Sequence, residues 1–192
     1  MTDSAAGRQN NCRHRRGRRR LQSSRRVRIR SAVAGDEMTL AVLNGFVQQP
    51  HAAAHPEHFR ATRLRDVANW FASLLQQPTA AVWIAQADDV PIGYAAALFH
   101  EQAENPFCLA RRWCEVDQLA VDPAHQRRGV ARALVDAIVA DAEANGIRDI
   151  ELNTWSFNEE AAAAFRRMGF QPRIVRLRRQ NGGPGSSSNA AK

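Results

Sequence analysis

The sequence predicts a single α/β domain whose sheet combines an antiparallel hairpin with one parallel crossover. Three observations carry that prediction. The chain has 192 residues, 44% hydrophobic and 24% charged, which fills one core and is too little for two comfortable domains. Thr79 to Ala87 and Pro91 to His100 alternate in strand fashion on either side of Ala87-Asp88-Asp89-Val90, so they read as a hairpin. Trp113 to Val121 reads as a strand that passes through a basic, glycine-containing turn into a long amphipathic helix and then a strand at Arg148 to Leu152. A helix between two strands implies that they run parallel.

Charge divides the chain into three parts. The total is +8 with a pI near 11.0, but residues 1–30 hold eleven arginines against Asp3, which is +10. Residues 173–192 contribute +5, so the middle, 31–172, carries about −7. Residues 1–24 are expected to be a disordered arginine-rich arm, because Arg13-His14-Arg15-Arg16-Gly17-Arg18-Arg19-Arg20 repels itself and offers little to bury. Residues 25–178 form the domain, and 179–192, with Gly182-Gly183-Pro184-Gly185, form a flexible tail. Clustered arginines over 8–30 suit contact with a polyanion, but a solvated tail or a start placed too far upstream is the simpler reading. No aromatic residue interleaves them, so base stacking is not indicated.

No run of about 18 apolar residues exists, so no membrane partner is expected. The basic N-terminus lacks a signal's apolar stretch, and Cys12, Cys108 and Cys114 form no disulfide framework, so a cytoplasmic location is expected.

Within the domain, Val27-Arg28-Ile29-Arg30 alternates as a first strand, and Asp36 is placed to cap a helix carrying Met38, Ala41, Val42 and Phe46 and ending by Gln49-Pro50. His51, His55 and His58 follow in a proline-containing segment without a completing acidic or cysteine partner, so no metal is expected. A second helix, about Leu64 to Gln77, aligns Val67, Phe71, Leu74 and Leu75. On the strand from Trp113, alternation places Glu115, Asp117, Leu119 and Val121 on one face and Cys114, Val116, Gln118 and Ala120 on the other. Carboxylates beside aliphatic residues have a raised pKa, which suits a general base for an ammonium group; solubilising a strand end is the plainer reading.

The helix after the turn buries Val130, Leu134, Ala137 and Ile138 and stops at Asn145-Gly146. Its free N–H groups and dipole, with Arg127, Arg128 and Gly129 beside them, favour a diphosphate. The turn lacks the Gly-Lys-Ser/Thr of a Walker loop and has too few glycines for a dinucleotide fingerprint. A short helix, Glu159 to Met168, is capped by Gly169, and Phe170 to Leu177 is expected to hold one or two last strands.

Leu119-Ala120-Val121-Asp122-Pro123 followed by Gln126-Arg127-Arg128-Gly129-Val130-Ala131 resembles the acetyl-CoA motif of the GNAT superfamily of N-acetyltransferases. Asn158, the alanine run, Phe165 and Met168-Gly169-Phe170 resemble its second motif. The resemblance implies a mixed, largely antiparallel twisted sheet with a splayed parallel strand pair and flanking helices. It also implies that acetyl-CoA is the co-substrate. Leu119, Ala120 and Val121 would hold its pantetheine arm, and Arg127, Arg128, Gly129, Val130, Ala131 and Arg132 its pyrophosphate, with Asn158 on the other side. Glu115, eleven residues before Gln126, matches the base of histone-type members and is the first choice as catalytic residue, with Asp117 second. Many relatives protonate the leaving thiolate with a tyrosine where this chain has Phe165. Phe165 is therefore read as packing on the cofactor, and water, Ser156 or Tyr94 substitutes as acid, or the thiolate leaves unassisted, or the activity is weak.

The expected function is transfer of an acetyl group to a primary amine, on a small molecule or a protein, of a cationic acceptor that the acidic body would attract. The competing reading is a catalytically weak acyl-CoA-binding module tethered to RNA or another polyanion by the arm. These residues leave a homodimer open.

Overall fold

The computed structural model describes residues 27–179. The expected arm over 1–24 and nearly all of the tail lie outside the described residues. The elements run β1 (Val27–Ser31), α1 (Glu37–Ala54), α2 (Leu64–Leu74), β2 (Ala80–Ala87), β3 (Val90–Gln102), β4 (Arg111–Val121), α3 (Val130–Ala144), β5 (Ile150–Leu152) and α4 (Glu159–Arg167). The five strands lie in the order β1-β2-β3-β4-β5. Neighbours are antiparallel except β4 and β5, which are parallel. No described helix is long and apolar enough to cross a membrane.

The β2–β3 hairpin turns at Asp88 and Asp89, both at positive φ (51° and 62°), the backbone a type I′ turn requires and aspartate tolerates. The sheet separates two cores. On one face α3 packs Val130, Leu134, Ile138 and Ala142 against Ala95, Ala97, Cys114, Val116 and Val121. On the other, α1 and α2 bring Leu40, Leu43, Phe71 and Leu74 onto Ile84, Tyr94, Ala96 and Ala120. Tyr94 is fully buried there, edge-on to Phe71 at 5.4 Å. Its hydroxyl donates to Gln118 Oε1 at 2.6 Å and accepts from Asn44 Nδ2 at 2.9 Å. Tyr94→Phe is expected to lower stability by about 1–2 kcal/mol, because both amides lose a partner in a half-buried setting; thermal denaturation measures it.

Five sequence expectations change. α1 does not stop at Pro50 but continues to Ala54: the missing N–H costs one bond, and three alanines favour the last turn. Its buried face is Leu40, Ala41 and Leu43, while Met38 and Val42 are about half exposed. Asp36 sits at the N-cap, yet its carboxylate turns to Arg30, at 2.7 and 2.8 Å, and to the Val33 N–H rather than capping the helix. The Arg30 hydrogen bonds hold that carboxyl below its usual range. Finally, Phe170 to Leu177 forms no strand. Ile174 and Val175 are adjacent rather than alternating and stay 80% and 78% exposed, and β5, three residues long, offers little edge to pair with.

The fifth change reaches the site. Between β3 and β4, Ala96 pairs with Gln118 but Ala97 pairs with Val116, so Asp117 is an extra, bulged residue. The bulge reverses the alternation. Cys114 and Val116 share the α3 face with Leu119 and Val121, while Ala120 lies on the opposite face. Glu115, cross-strand from Leu98, therefore shares its face with Gln118 and Ala120 rather than with Leu119 and Val121.

Candidate active site

β4 and β5 pair over only three positions, Cys114 with Ile150, Glu115 with Glu151 and Val116 with Leu152. Beyond Val116, where Asp117 bulges, the two strands part, leaving Asp117 to Val121 without a strand on the β5 side. A wedge opens at the C-terminal ends of two parallel strands, where α/β sheets place ligands.

Glu115 stands at the mouth of the wedge. Its side chain is 24% exposed, Oε1 accepts from Asn153 Nδ2 at 2.7 Å, and Oε2 lies 3.1 Å from His100 Nε2. His100 stacks on Trp113, with ring centroids 4.8 Å apart and 16° between planes, and the Arg111 guanidinium lies 4.3 Å over the same indole. Arg111 also bridges Asp149 at 2.9 Å and Glu151 at 2.5 Å, and Arg173 joins the same two carboxylates from the segment after α4. Asp117 is exposed as a residue, yet partial burial pushes its carboxyl up and nearby Glu115 adds to the rise; a 3.3 Å hydrogen bond from Gln118 and the charge of His100 oppose it.

At the far end of β4 the chain turns through Pro123–His125. Asp122 Oδ1 accepts from the Ala124 N–H at 2.8 Å, and Gln126 Nε2 ties the turn back to the Val121 carbonyl at 3.1 Å. Arg127 (φ 60°) and Gly129 (φ 84°) both take left-handed backbone. Gly129 is the N-cap of α3 and supplies no side-chain cap. The first-turn N–H groups of α3 are thus presented to whatever lies beyond them, where a capping side chain would otherwise bond them. A Cβ on Gly129 would meet no atom within 4 Å, so the space in front of it is open. These features fit an anionic diphosphate.

Gly129→Val is expected to destabilise the fold by about 1–2 kcal/mol through the strained φ alone. Its branched side chain would also fill the open space in front of the helix N-terminus, so the affinity of any anion bound there should fall; a thermal melt measures the stability loss.

Both the sequence and the fold have counterparts among known proteins. The sequence model of the Acetyltransferase (GNAT) family matches residues 46–170. The chain belongs to the GNAT acetyltransferase family. Human N-acetyltransferase 8 is 27% identical to this GNAT chain over 115 residues, 60% of this chain and 49% of that protein. Rat N-acetyltransferase 8B is 27% identical over 55% of this chain and 46% of its own length. The chain spans about half the length of the curated relatives it matches. Among solved structures, a tetramutant of the BH1408 protein from Bacillus halodurans is similar with TM-score 0.76 and 21% identity, covering 80% of this chain and 99% of that one. The aminoglycoside N-acetyltransferase AAC(6')-Iy, in complex with CoA, is similar with TM-score 0.65 and 22% identity, covering 81% and 96%. These likenesses are of fold.

The sequence-selected residues of the GNAT domain fall into two groups. Glu115 and Asp117 lie where the pairing of β4 with β5 ends; Leu119, Ala120 and Val121 continue β4 beyond it, and the turn from Arg127 through Val130, Ala131 and Arg132 follows at the start of α3. Arg127 faces α4 through an exposed 3.7 Å pair with Glu160, Arg128 is exposed, and Arg132 Nη2 donates to the Arg167 carbonyl at 2.7 Å. Asn158 caps α4, its Oδ1 accepting from the Ala161 N–H at 3.2 Å, which leaves its amide N–H group as donor. Phe165 packs edge-on to Phe170 at 5.8 Å. Tyr94 does not reach the wedge: it lies in the core beneath α1 and α2, and burial raises its phenol further above its usual pKa.

His100, Trp113 and Asn153 escaped the sequence reading, since each is an isolated residue on a separate element and only the β3–β4 register and the β5 exit loop join them. The histidine segment also changes meaning. His51 packs on Phe59 and Phe157, His55 on Phe157 at 4.1 Å and His58 on Trp155, while Arg178 donates to His58 Nε2 at 2.7 Å. The loop after α1 is thereby joined to the loop after β5 by ring contacts, beside Asn153.

Proposed function

We propose that this GNAT domain, spanning residues 25–178, transfers the acetyl group of acetyl-CoA to a primary amine on a cationic acceptor, with Glu115 as the base. The observation that carries the reading is Glu115 itself: a half-buried carboxylate, held by Asn153, at the mouth of the gap between β4 and β5. The bare α3 N-terminus at the other end of that gap supports acetyl-CoA as the donor.

When bound, acetyl-CoA supplies an acetyl thioester as electrophile. Main-chain N–H groups of Gly129, Val130, Ala131 and Arg132 would hold its diphosphate, with Arg127 and Arg128 adding charge and the unpaired edge of β4 around Leu119, Ala120 and Val121 taking the pantetheine. Asn158 and Phe165 border the site from α4. Glu115 removes a proton from the ammonium group of the acceptor, directly or through one water, so that the neutral amine can attack. Asp117, exposed at the bulge, adds negative charge that draws the ammonium in, as does the net charge of about −7 over residues 31–172. With phenylalanine at position 165, the thiolate leaves with water as proton donor.

The test is release of thiol from acetyl-CoA over a panel of ethylenediamine, spermidine, aminoglycosides and lysine-containing peptides, with mass spectrometry of the amine. Thiol release matched by acetylated amine is expected for at least one class. Binding of acetyl-CoA without turnover on every class would overturn the transfer, and no binding would overturn the donor as well.

A further inference from the structure

We propose that His100 is a positioning residue for Glu115, donating its Nε2–H to Oε2 so that His100 and Asn153 together fix the plane of the carboxylate. The inference rests on Glu115 acting as the base.

Three observations lead to it. First, His100 Nε2 is buried and has no aligned hydrogen-bond partner, and the acceptor standing beside it is Glu115 Oε2 at 3.1 Å. A buried ring nitrogen left unpaired is costly, so a small rotation of either side chain that closes this bond is favoured. Second, the ring cannot wander, because it is stacked on Trp113, its cross-strand neighbour. Third, Oε1 is already held by Asn153 at 2.7 Å from the β5 side. Donors on both oxygens, one from β3 and one from the segment after β5, leave the carboxylate a single orientation. Its remaining lone pairs are then directed at the incoming amine. An ionised carboxylate only accepts hydrogen bonds, so the imidazole nitrogen facing it must carry the proton. Nothing is consumed: the amine proton goes to Glu115 and on to solvent, and His100 keeps its own.

A carboxylate free to turn about its last torsions spends much of its time misdirected, and errors of this size cost one to two orders of magnitude in rate. His100→Phe keeps a ring to stack on Trp113 and removes the donor. His100→Gln removes the ring and keeps an N–H donor. With acetyl-CoA and the amine of that panel turned over fastest by the wild type, the Phe variant is expected to lose about tenfold to a hundredfold in kcat with KM for acetyl-CoA unchanged, and the Gln variant to recover most of it. In a Glu115→Gln background, His100→Phe should change kcat little further, because the group it orients is gone. His100→Ala, which lacks donor and ring, repeats the kcat measurement if the Phe variant does not fold. Equal kcat for wild type and His100→Phe overturns the inference, as does a Gln variant as slow as Phe. If Glu115→Gln itself leaves kcat unchanged, the base assignment falls first, which separates the two failures.

Discussion

Glu115→Gln is expected to lower kcat by about a hundredfold to ten-thousandfold while leaving acetyl-CoA affinity near the wild-type value. The range is that of a lost general base. Glutamine has the size and shape of glutamate, and its carbonyl oxygen can still accept from Asn153, which bonds Oε1 at 2.7 Å, so the strand and its exit loop should keep their places. The amide cannot take a proton from an ammonium group, so catalysis would fall to whatever fraction of the amine is already neutral in solution. That fraction grows with pH. The deficit of the variant should therefore shrink as pH rises toward the pKa of the acceptor, and a kcat profile against pH for both proteins measures it. A variant that matches wild type across the range would remove Glu115 from the mechanism.

The largest structural effect is expected at Gly93. A Cβ there would sit 2.8 Å from the Ala120 carbonyl oxygen and 3.3 Å from the Val121 Cα, both main-chain atoms of β4. Neither can rotate away as a side chain would, so β3 and β4 must separate where they are hydrogen-bonded. Gly93→Val should cost about 1–3 kcal/mol or more, as overpacking does. For a domain of this size that is a fall of roughly 3–10 °C in Tm. The same displacement moves Ala120 and Val121, so acetyl-CoA binding should weaken in parallel, although the substituted residue lies on another strand. Differential scanning calorimetry with and without acetyl-CoA checks both effects. An unchanged Tm would show that the sheet yields there at no cost.

Elements whose apolar residues repeat cleanly were legible in the sequence: the hairpin at Asp88-Asp89, the buried stripe of α3 through Val130, Leu134 and Ile138, and the turn ending in Gly129. What was not legible depends on pairing between distant segments. The bulge at Asp117 leaves no local trace, because an extra residue in a strand is defined only by its partner strand, here Ala96 and Ala97. Continuation of α1 beyond Pro50 depends on the alanines that follow outweighing one lost bond. His100 could not be tied to Glu115, fifteen positions on, without knowing that β3 and β4 are neighbours in that register. Asp36 looked like a helix cap, and a bidentate arginine from β1 proved the stronger partner.

The extra residue in β4 also bears on how such a domain could be redesigned. Before it, Trp113 and Glu115 lie on the face away from α3; after it, Leu119 and Val121 point to the α3 core, at positions that an unbroken strand would have put on Glu115's own face. One strand thus carries two reading frames offset by a single residue. Side chains on the Glu115 face upstream of Asp117 can be exchanged while those downstream keep their phase against the helix. Grafts from relatives will succeed only when this one-residue offset is carried with them.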